Sequence, residues 1–351
     1  MRHFREDIWQ DNEYTYPASY GFVPNIRAYI HDEDEHDEDE HDEDEHDKAD
    51  SAGSPTGGNG SRDVMIVLPG GGYCLCAPHE GQEVALEFYS MGMNAFVLTY
   101  TTDITMSVPL KDQPLRDVSR AVRLIRKKYA KKGKVFICGF SAAAHVCGSL
   151  AVHYKDVDDA LYNDVSNRPD GAVLSYPVIS SGTYGHGSSF EALLGRDATK
   201  DELNYYSLEK NVSKDTPPCF LWQTLTDELV PVENSYLFAE SLRKNEVPYA
   251  HYVFPYGPHG TGLARKPAMA GGNLPDPSYT LEQLVLAIRA FKAGRGVNIS
   301  DARLKELNEQ FPDIPGEADD VYDPCNPHDL DKICSDAGTW PDLCKVWMDR
   351  L

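Results

Sequence analysis

Val135-Phe136-Ile137-Cys138-Gly139-Phe140-Ser141-Ala142-Ala143 is the stretch on which the fold turns. Residues 135–138 are apolar and read as a buried strand. Residues 142–153 read as a helix. Between them, a serine sits on a turn so sharp that its hydroxyl is presented above the sheet. Such a turn accepts only small residues two before and two after the serine, here Gly139 and Ala143. A serine in a small-residue turn is also a good helix N-cap, so the motif alone leaves two readings, nucleophile and cap.

Outward from this turn, strands alternate with helices. Residues 64–68, 94–100, 172–175, 220–223 and 249–254 read as strands. Residues 85–90, 118–128 and 235–242 read as helices. The second of these places Val118, Ala121, Val122, Leu124 and Ile125 on one face. The alternation predicts an α/β fold whose mostly parallel central sheet carries helices on both faces. Residues 1–30 read as a lead-in that ends in a strand near 27–30. Residues 31–62 read as one disordered loop, acidic and then rich in Gly and Ser. The main domain spans 63–351, with an insertion at about 263–339. Within and beyond that insertion, 281–292 and 340–351 read as helices, and 298–339 shows no clear period.

Chemistry concentrates at strand ends. Pro69-Gly70-Gly71-Gly72-Tyr73 follows the strand at 64–68. Three glycines leave backbone N–H groups free to face a developing oxyanion, with the Ala142 N–H on the other side. A flexible turn is the alternative. Asp227 opens the loop after the strand at 220–223 and suits the orientation of an imidazole, with Glu228 as its neighbouring competitor. His259 lies in Gly257-Pro258-His259-Gly260, a tight loop after the strand at 249–254. The order Ser141, Asp227, His259, each just past its own strand, makes a nucleophile–carboxylate–base set. Tyr73 is the candidate to line the substrate pocket. His145, one helical turn past Ser141, reads as a packed, hydrogen-bonded histidine rather than a second base. This chemistry requires no metal and no organic cofactor.

The formal net charge of −23 argues against nucleic acid and anionic membrane as partners. Residues 32–47 alone hold 13 acidic groups and no basic ones, more than half of that excess. There HDEDE repeats, with His31, His36, His41 and His46 five residues apart. A divalent-cation binder and a solvated tract both fit, and weak cation association is compatible with either. The eight cysteines read as free thiols in a reducing compartment. Residues 1–10 have no apolar core of a signal, so the expected location is cytoplasmic. Apolar runs are only a few residues long, against the ~18–20 of a membrane span. Oligomeric state is not legible.

Several pieces together resemble the α/β-hydrolase family that holds bacterial acetyl xylan and feruloyl esterases. They are LPGGGY (68–73), EGQEVA (80–85), NAFVLTY (94–100), GFSAAAH (139–145), TDELVP (226–231), GPHG (257–260) and the closing Trp340…Trp347 segment. The resemblance implies an α/β-hydrolase fold with a Ser141–His259–Asp227 triad. It further implies a short acyl group, acetate first, removed from carbohydrate such as xylan-derived oligosaccharide. Two departures stand out. Ala143 and Ala144 replace the family's usual glycine pair, and about seventy residues separate His259 from the last helix. Part of 263–322 is expected to roof the pocket. Rival functions are a feruloyl esterase, a peptidase, aryl-formamidase or lipase of the same fold, and an inert scaffold that binds cations.

Overall fold

Residues 1–10, 12–32, 62–266, 274–314 and 336–351 are described by a computed structural model. In these residues eight strands hydrogen-bond into one sheet. They are β1 (Arg2–Asp7), β2 (Asn25–Ile30), β3 (Val64–Leu68), β4 (Asn94–Thr99), β5 (Val135–Phe140), β6 (Gly171–Ser175), β7 (Cys219–Thr224) and β8 (Tyr249–Phe254). Their spatial order is β1-β2-β4-β3-β5-β6-β7-β8. The six strands from β4 to β8 in that order run parallel, and β2 and β1 add antiparallel at one edge.

The reason β3 through β7 read as continuous apolar runs is now visible: every residue in them is buried. A strand covered on both faces has no wet side to mark by alternation. Successive residues still divide between two cores. Val64, Ile66 and Leu68 face one, with Val135 and Ile137; Met65 and Val67 face the other, with Phe136, Cys138 and Phe140. The first core is closed by α2 (Gln113–Lys128), α3 (Ala142–His153) and α6 (Glu233–Lys244). The second is closed by α1 (Gln82–Ser90) and by the last helix, α9 (Trp340–Met348). The short helices α4 (Gly187–Leu194) and α5 (Lys200–Tyr205) follow β6 and were not foreseen.

Two further readings need correction. Residues 1–30 are more than a lead-in, because β1 forms the edge of the sheet. Its charged, half-wet sequence is typical of an edge strand, which must discourage pairing with another chain. Just past it, Trp9 Nε1 donates to Asp117 Oδ1 (2.8 Å), and the other carboxylate oxygen accepts the Thr101 N–H (2.8 Å). The second correction concerns 298–339. A helix, α8 (Asp301–Gln310), starts where Ser300 Oγ accepts the Arg303 N–H (3.3 Å). Leu304, Leu307 and Phe311 give it a helical apolar spacing, which the Pro- and Asp-rich residues that follow had masked. With α7 (Glu282–Lys292) it builds a third, smaller core around Ile104, Leu281, Leu284, Ile288 and Phe291.

The acidic repeat beyond Asp32, the Gly/Ser stretch to Ser61, and Cys325 and Cys334 lie outside the described residues. The other six cysteines are free and buried or half-buried. Among the described residues no helix is long and apolar enough to cross a membrane.

Candidate active site

Ser141 links β5 to α3 with φ 54° and ψ −118°, a left-handed conformation that costs a non-glycine residue about 1–3 kcal/mol. Packing around it enforces the turn. A Cβ at position 139 would stand 2.3 Å from the Ala143 carbonyl oxygen, so only glycine fits there. The Ser141 N–H donates to Ser175 O (3.0 Å), and its carbonyl accepts from Val178 N–H (3.2 Å) and His145 N–H (3.3 Å). Ala143 and Ala144, fully buried, fill the space without opening the turn.

Asp227 and His259 arrive from the ends of β7 and β8. Ser141 Oγ donates to His259 Nε2 (2.8 Å), and His259 Nδ1 donates to Asp227 Oδ2 (2.7 Å). The carboxylate can only accept, which sets the imidazole tautomer. Asp227 Oδ1 accepts Leu229 N–H (3.0 Å) and Val230 N–H (2.9 Å), so both oxygens of this water-excluded side chain have donors. Glu228, the competitor, is exposed. The two loops are clipped together: Thr224 Oγ1 and Thr226 Oγ1 both donate to Gly257 O, at 2.8 and 3.0 Å. The ends of the adjacent strands β7 and β8 thus place a carboxylate and an imidazole in line with the serine at the end of β5. Such a chain can generate an alkoxide at Ser141.

The glycine loop is more specific than its sequence suggested. Gly70 lies beside the serine: a Cβ there would be 3.1 Å from Ser141 Cβ. Its N–H, however, donates to Glu80 Oε2 (2.7 Å) and is therefore unavailable to an oxyanion. The expectation for Gly70 is corrected on that ground. Gly71 (φ 132°), Gly72 (φ 64°) and Ala142 remain as the candidate donors.

Tyr73 also differs from expectation. Its backbone is left-handed (φ 66°), and this turns the ring inward. The residue is 2% exposed, and its hydroxyl donates to His145 Nδ1 (2.7 Å), so the side chain packs in the core. His145 Nε2 donates to Tyr206 O (2.7 Å). Both nitrogens are engaged, and burial pushes the pKa of His145 down to about 4, which keeps it neutral. That agrees with the reading of a packed histidine.

The described parts of the insertion pack beside the site. Leu263 and Ala264 are core residues beside Trp340. The α7–α8 core reaches Cys74 and Leu75, just past the glycine loop. Gln283 Oε1 accepts the Thr102 N–H (2.8 Å), and Arg303 donates to Ile104 O (2.7 Å). Residues 267–273 and 315–322, the rest of the expected roof, lie outside the described residues.

Sequence reasoning missed three side chains here. Asn234 is buried, and its Oδ1 accepts Ile179 N–H (3.0 Å) and Ser180 N–H (3.1 Å) while its Nδ2 donates to Tyr184 O (2.8 Å) and Pro231 O (3.0 Å). It ties the loop after β6 to the Asp227 loop. His186, on that loop, has its pKa lowered by burial and then by His259, with Asp227 acting the other way. Tyr176 sets its ring against His259, centroids 5.0 Å apart at 67°. None has a local signal, since the contact that brings each to the site comes from a residue distant in sequence.

Comparison with known proteins agrees with this architecture. The sequence profile of the BD-FAE family matches residues 53–242. The chain is 53% identical over 293 residues to "Endo-1,4-beta-xylanase B" of Butyrivibrio fibrisolvens, which covers 82% of this chain and 42% of that protein. It therefore spans less than half the length of that relative. The crystal structure of an acetyl ester-xyloside bifunctional hydrolase from Caldicellulosiruptor lactoaceticus superposes with a TM-score of 0.61 at 33% identity, over 84% of this chain and 97% of that one. Carboxylesterase Cest-2923 of Lactobacillus plantarum WCFS1 shares the fold at 21% identity, with a TM-score of 0.58 over 85% and 99% of the two chains. The profile spans more than half of the residues, and a 33%-identical structure is matched over 84% of this chain; the chain belongs to the BD-FAE family and has the α/β-hydrolase fold.

Proposed function

We propose that the chain is a serine esterase that removes short acyl groups, acetate first, from carbohydrate such as xylan-derived oligosaccharides. The observation that carries the reading is the unbroken relay Ser141 Oγ–His259 Nε2 (2.8 Å) and His259 Nδ1–Asp227 Oδ2 (2.7 Å). His259 takes the Ser141 proton as Oγ attacks the ester carbonyl and forms the C–O bond. The carbonyl electron pair moves to oxygen, where N–H groups of Gly71, Gly72 and Ala142 stabilise it. As the tetrahedral centre collapses, the bond to the alcohol breaks and His259 returns the proton to the leaving oxygen. Water then attacks the acyl-enzyme by the reverse route and releases the acid. Asp227 holds the tautomer and stabilises the imidazolium.

Carbohydrate is favoured as substrate by the names of two relatives, one a xylanase and one an acetyl ester-xyloside hydrolase. A feruloyl ester is the second reading. Leu225, Leu229 and Tyr256 are exposed on the loops that carry Asp227 and His259, and they offer apolar area to an aromatic acyl group. Hydrolysis of 4-nitrophenyl acetate, butyrate and octanoate, with Ser141→Ala as control, tests the core of the proposal. Acetate turnover is expected to fall at least ~10⁴-fold in Ser141→Ala. Equal turnover in both proteins rules out Ser141 as nucleophile. Acetylated xylo-oligosaccharides against methyl ferulate then separate the two acyl readings.

A further inference from the structure

The sheet does not by itself fix the spacing of the site's two outer walls. The glycine loop follows β3 and the His259 loop follows β8, with β5, β6 and β7 between them. One buried carboxylate spans that gap. Glu80, on the turn before α1, is 3% exposed. Its Oε2 accepts the Gly70 N–H (2.7 Å), and its Oε1 accepts the Tyr176 hydroxyl (2.5 Å). That hydroxyl in turn accepts the Gly262 N–H (2.9 Å), three residues past His259. Next to Glu80, His79 Nε2 donates to Gly260 O (2.9 Å). The chain Gly262 N–H, Tyr176 O–H, Glu80, Gly70 N–H therefore runs from one wall to the other. Tyr176 meanwhile lays its ring against the His259 imidazole.

We infer that Glu80 is a positioning residue for ester hydrolysis: through Gly70 it aims the oxyanion-binding N–H groups, and through Tyr176 it seats His259. The inference rests on the serine-esterase reading above. A buried carboxylate is retained only where its oxygens find donors, and here the donors come from both halves of the reacting geometry. With the Gly70 N–H held by Glu80, the backbone that leads into Gly71 and Gly72 is anchored at the point where Gly70 lies beside Ser141. Glu80→Gln keeps the volume but puts an amide donor where one of the two acceptors stood. Either the Gly70 N–H or the Tyr176 O–H then loses its partner. An ångström of misplacement at such a site costs about 10²-fold in rate.

The test measures kcat and KM on 4-nitrophenyl acetate, together with Tm, for the wild type, Glu80→Gln, Tyr176→Phe and the double variant. Glu80→Gln is expected to lower kcat about 10–100-fold with KM within about three-fold, at temperatures well below its Tm. Tyr176→Phe keeps the ring and removes only the hydroxyl link; a smaller loss, about five-fold, is expected. The double variant should be no slower than Glu80→Gln, because both break one chain. A Glu80→Gln protein with wild-type kcat overturns the inference even if its Tm falls, since the residue would then be only structural. Should Glu80→Gln not fold, an unchanged kcat in Tyr176→Phe overturns it instead. A wild-type chain that turns over no ester sinks the functional reading as well, which distinguishes the two failures.

Discussion

The loops past β5, β7 and β8 and the α7–α8 segment are built by different forces. The first group is held by polar bonds into a hydrogen-bond network: Asp227 takes two backbone N–H groups and the His259 imidazole, and threonines clip the loops together. The second is held by apolar side chains, Leu281, Leu284, Ile288, Leu307 and Phe311, around Ile104. Polar bonds are directional, so they set angles and distances at a reacting centre. Apolar burial is not directional and sets stability. Conservative polar changes in the first region should therefore alter rate more than stability, and truncations in the second should do the reverse.

The strongest way to sharpen this contrast is Asp227→Asn. The amide can still accept the Leu229 and Val230 N–H groups but turns a donor toward His259 Nδ1. The imidazole then carries its proton on Nε2, where it cannot accept from Ser141. kcat for 4-nitrophenyl acetate is expected to fall about 10⁴-fold with little change in Tm. A loss under ten-fold would mean that the carboxylate does not govern the tautomer.

Leu307→Ala probes the other side. The residue is fully buried in the small core, and truncation is expected to cost about 2–5 kcal/mol in denaturant unfolding. Well below the transition, kcat should stay within about three-fold of wild type. The contrast breaks if kcat falls more than ten-fold in the folded protein. Because Cys74 and Leu75 pack on this core, that outcome would make the insertion a support of the glycine loop.

The smallest effect concerns His145, which is polar, buried and four residues from Ser141, yet placed on the stability side. Its pKa is pushed down to about 4 by burial, against about 6.5 in an unfolded chain. Between those values the unfolded state binds a proton that the native state refuses. Stability is therefore complete above pH ~6.5 and declines as pH falls toward 4, by on the order of 3 kcal/mol at full protonation. His145→Gln can bond both Tyr73 and Tyr206 without titrating. Its Tm should decline less than that of the wild type between pH 6.5 and 4. Identical acid slopes would assign the loss to other groups, such as His153 or His251, whose pKa values burial also lowers.

Much of this molecule was legible from one strand of text because its signals are local. The elbow at Gly139–Ala143 depends on residue size within five positions, and the buried strands depend on short apolar runs. The placement of Asp227 and His259 depends on which loop follows which strand. In each case the physical cause spans one turn or one strand, so neighbours in sequence carry it. Where such signals were diluted they were overlooked: α8 has its apolar spacing at Leu304, Leu307 and Phe311 but precedes a Pro- and Asp-rich stretch, and β1 has the charges of an edge.

What the chain could not disclose by itself was the partner of each polar group. Gly70 and Gly71 are identical letters, yet one N–H is committed to Glu80. Tyr73 reads as a pocket wall until its left-handed backbone turns it toward His145. Glu80 is an ordinary glutamate until Tyr176, almost a hundred positions away, donates to it. Hydrogen bonds form at about 3 Å whatever the distance along the chain. Local pattern therefore determined the elements and the order of Ser141, Asp227 and His259 along them, and only tertiary packing decided which amide is committed to Glu80 and that this carboxylate joins the walls of the site.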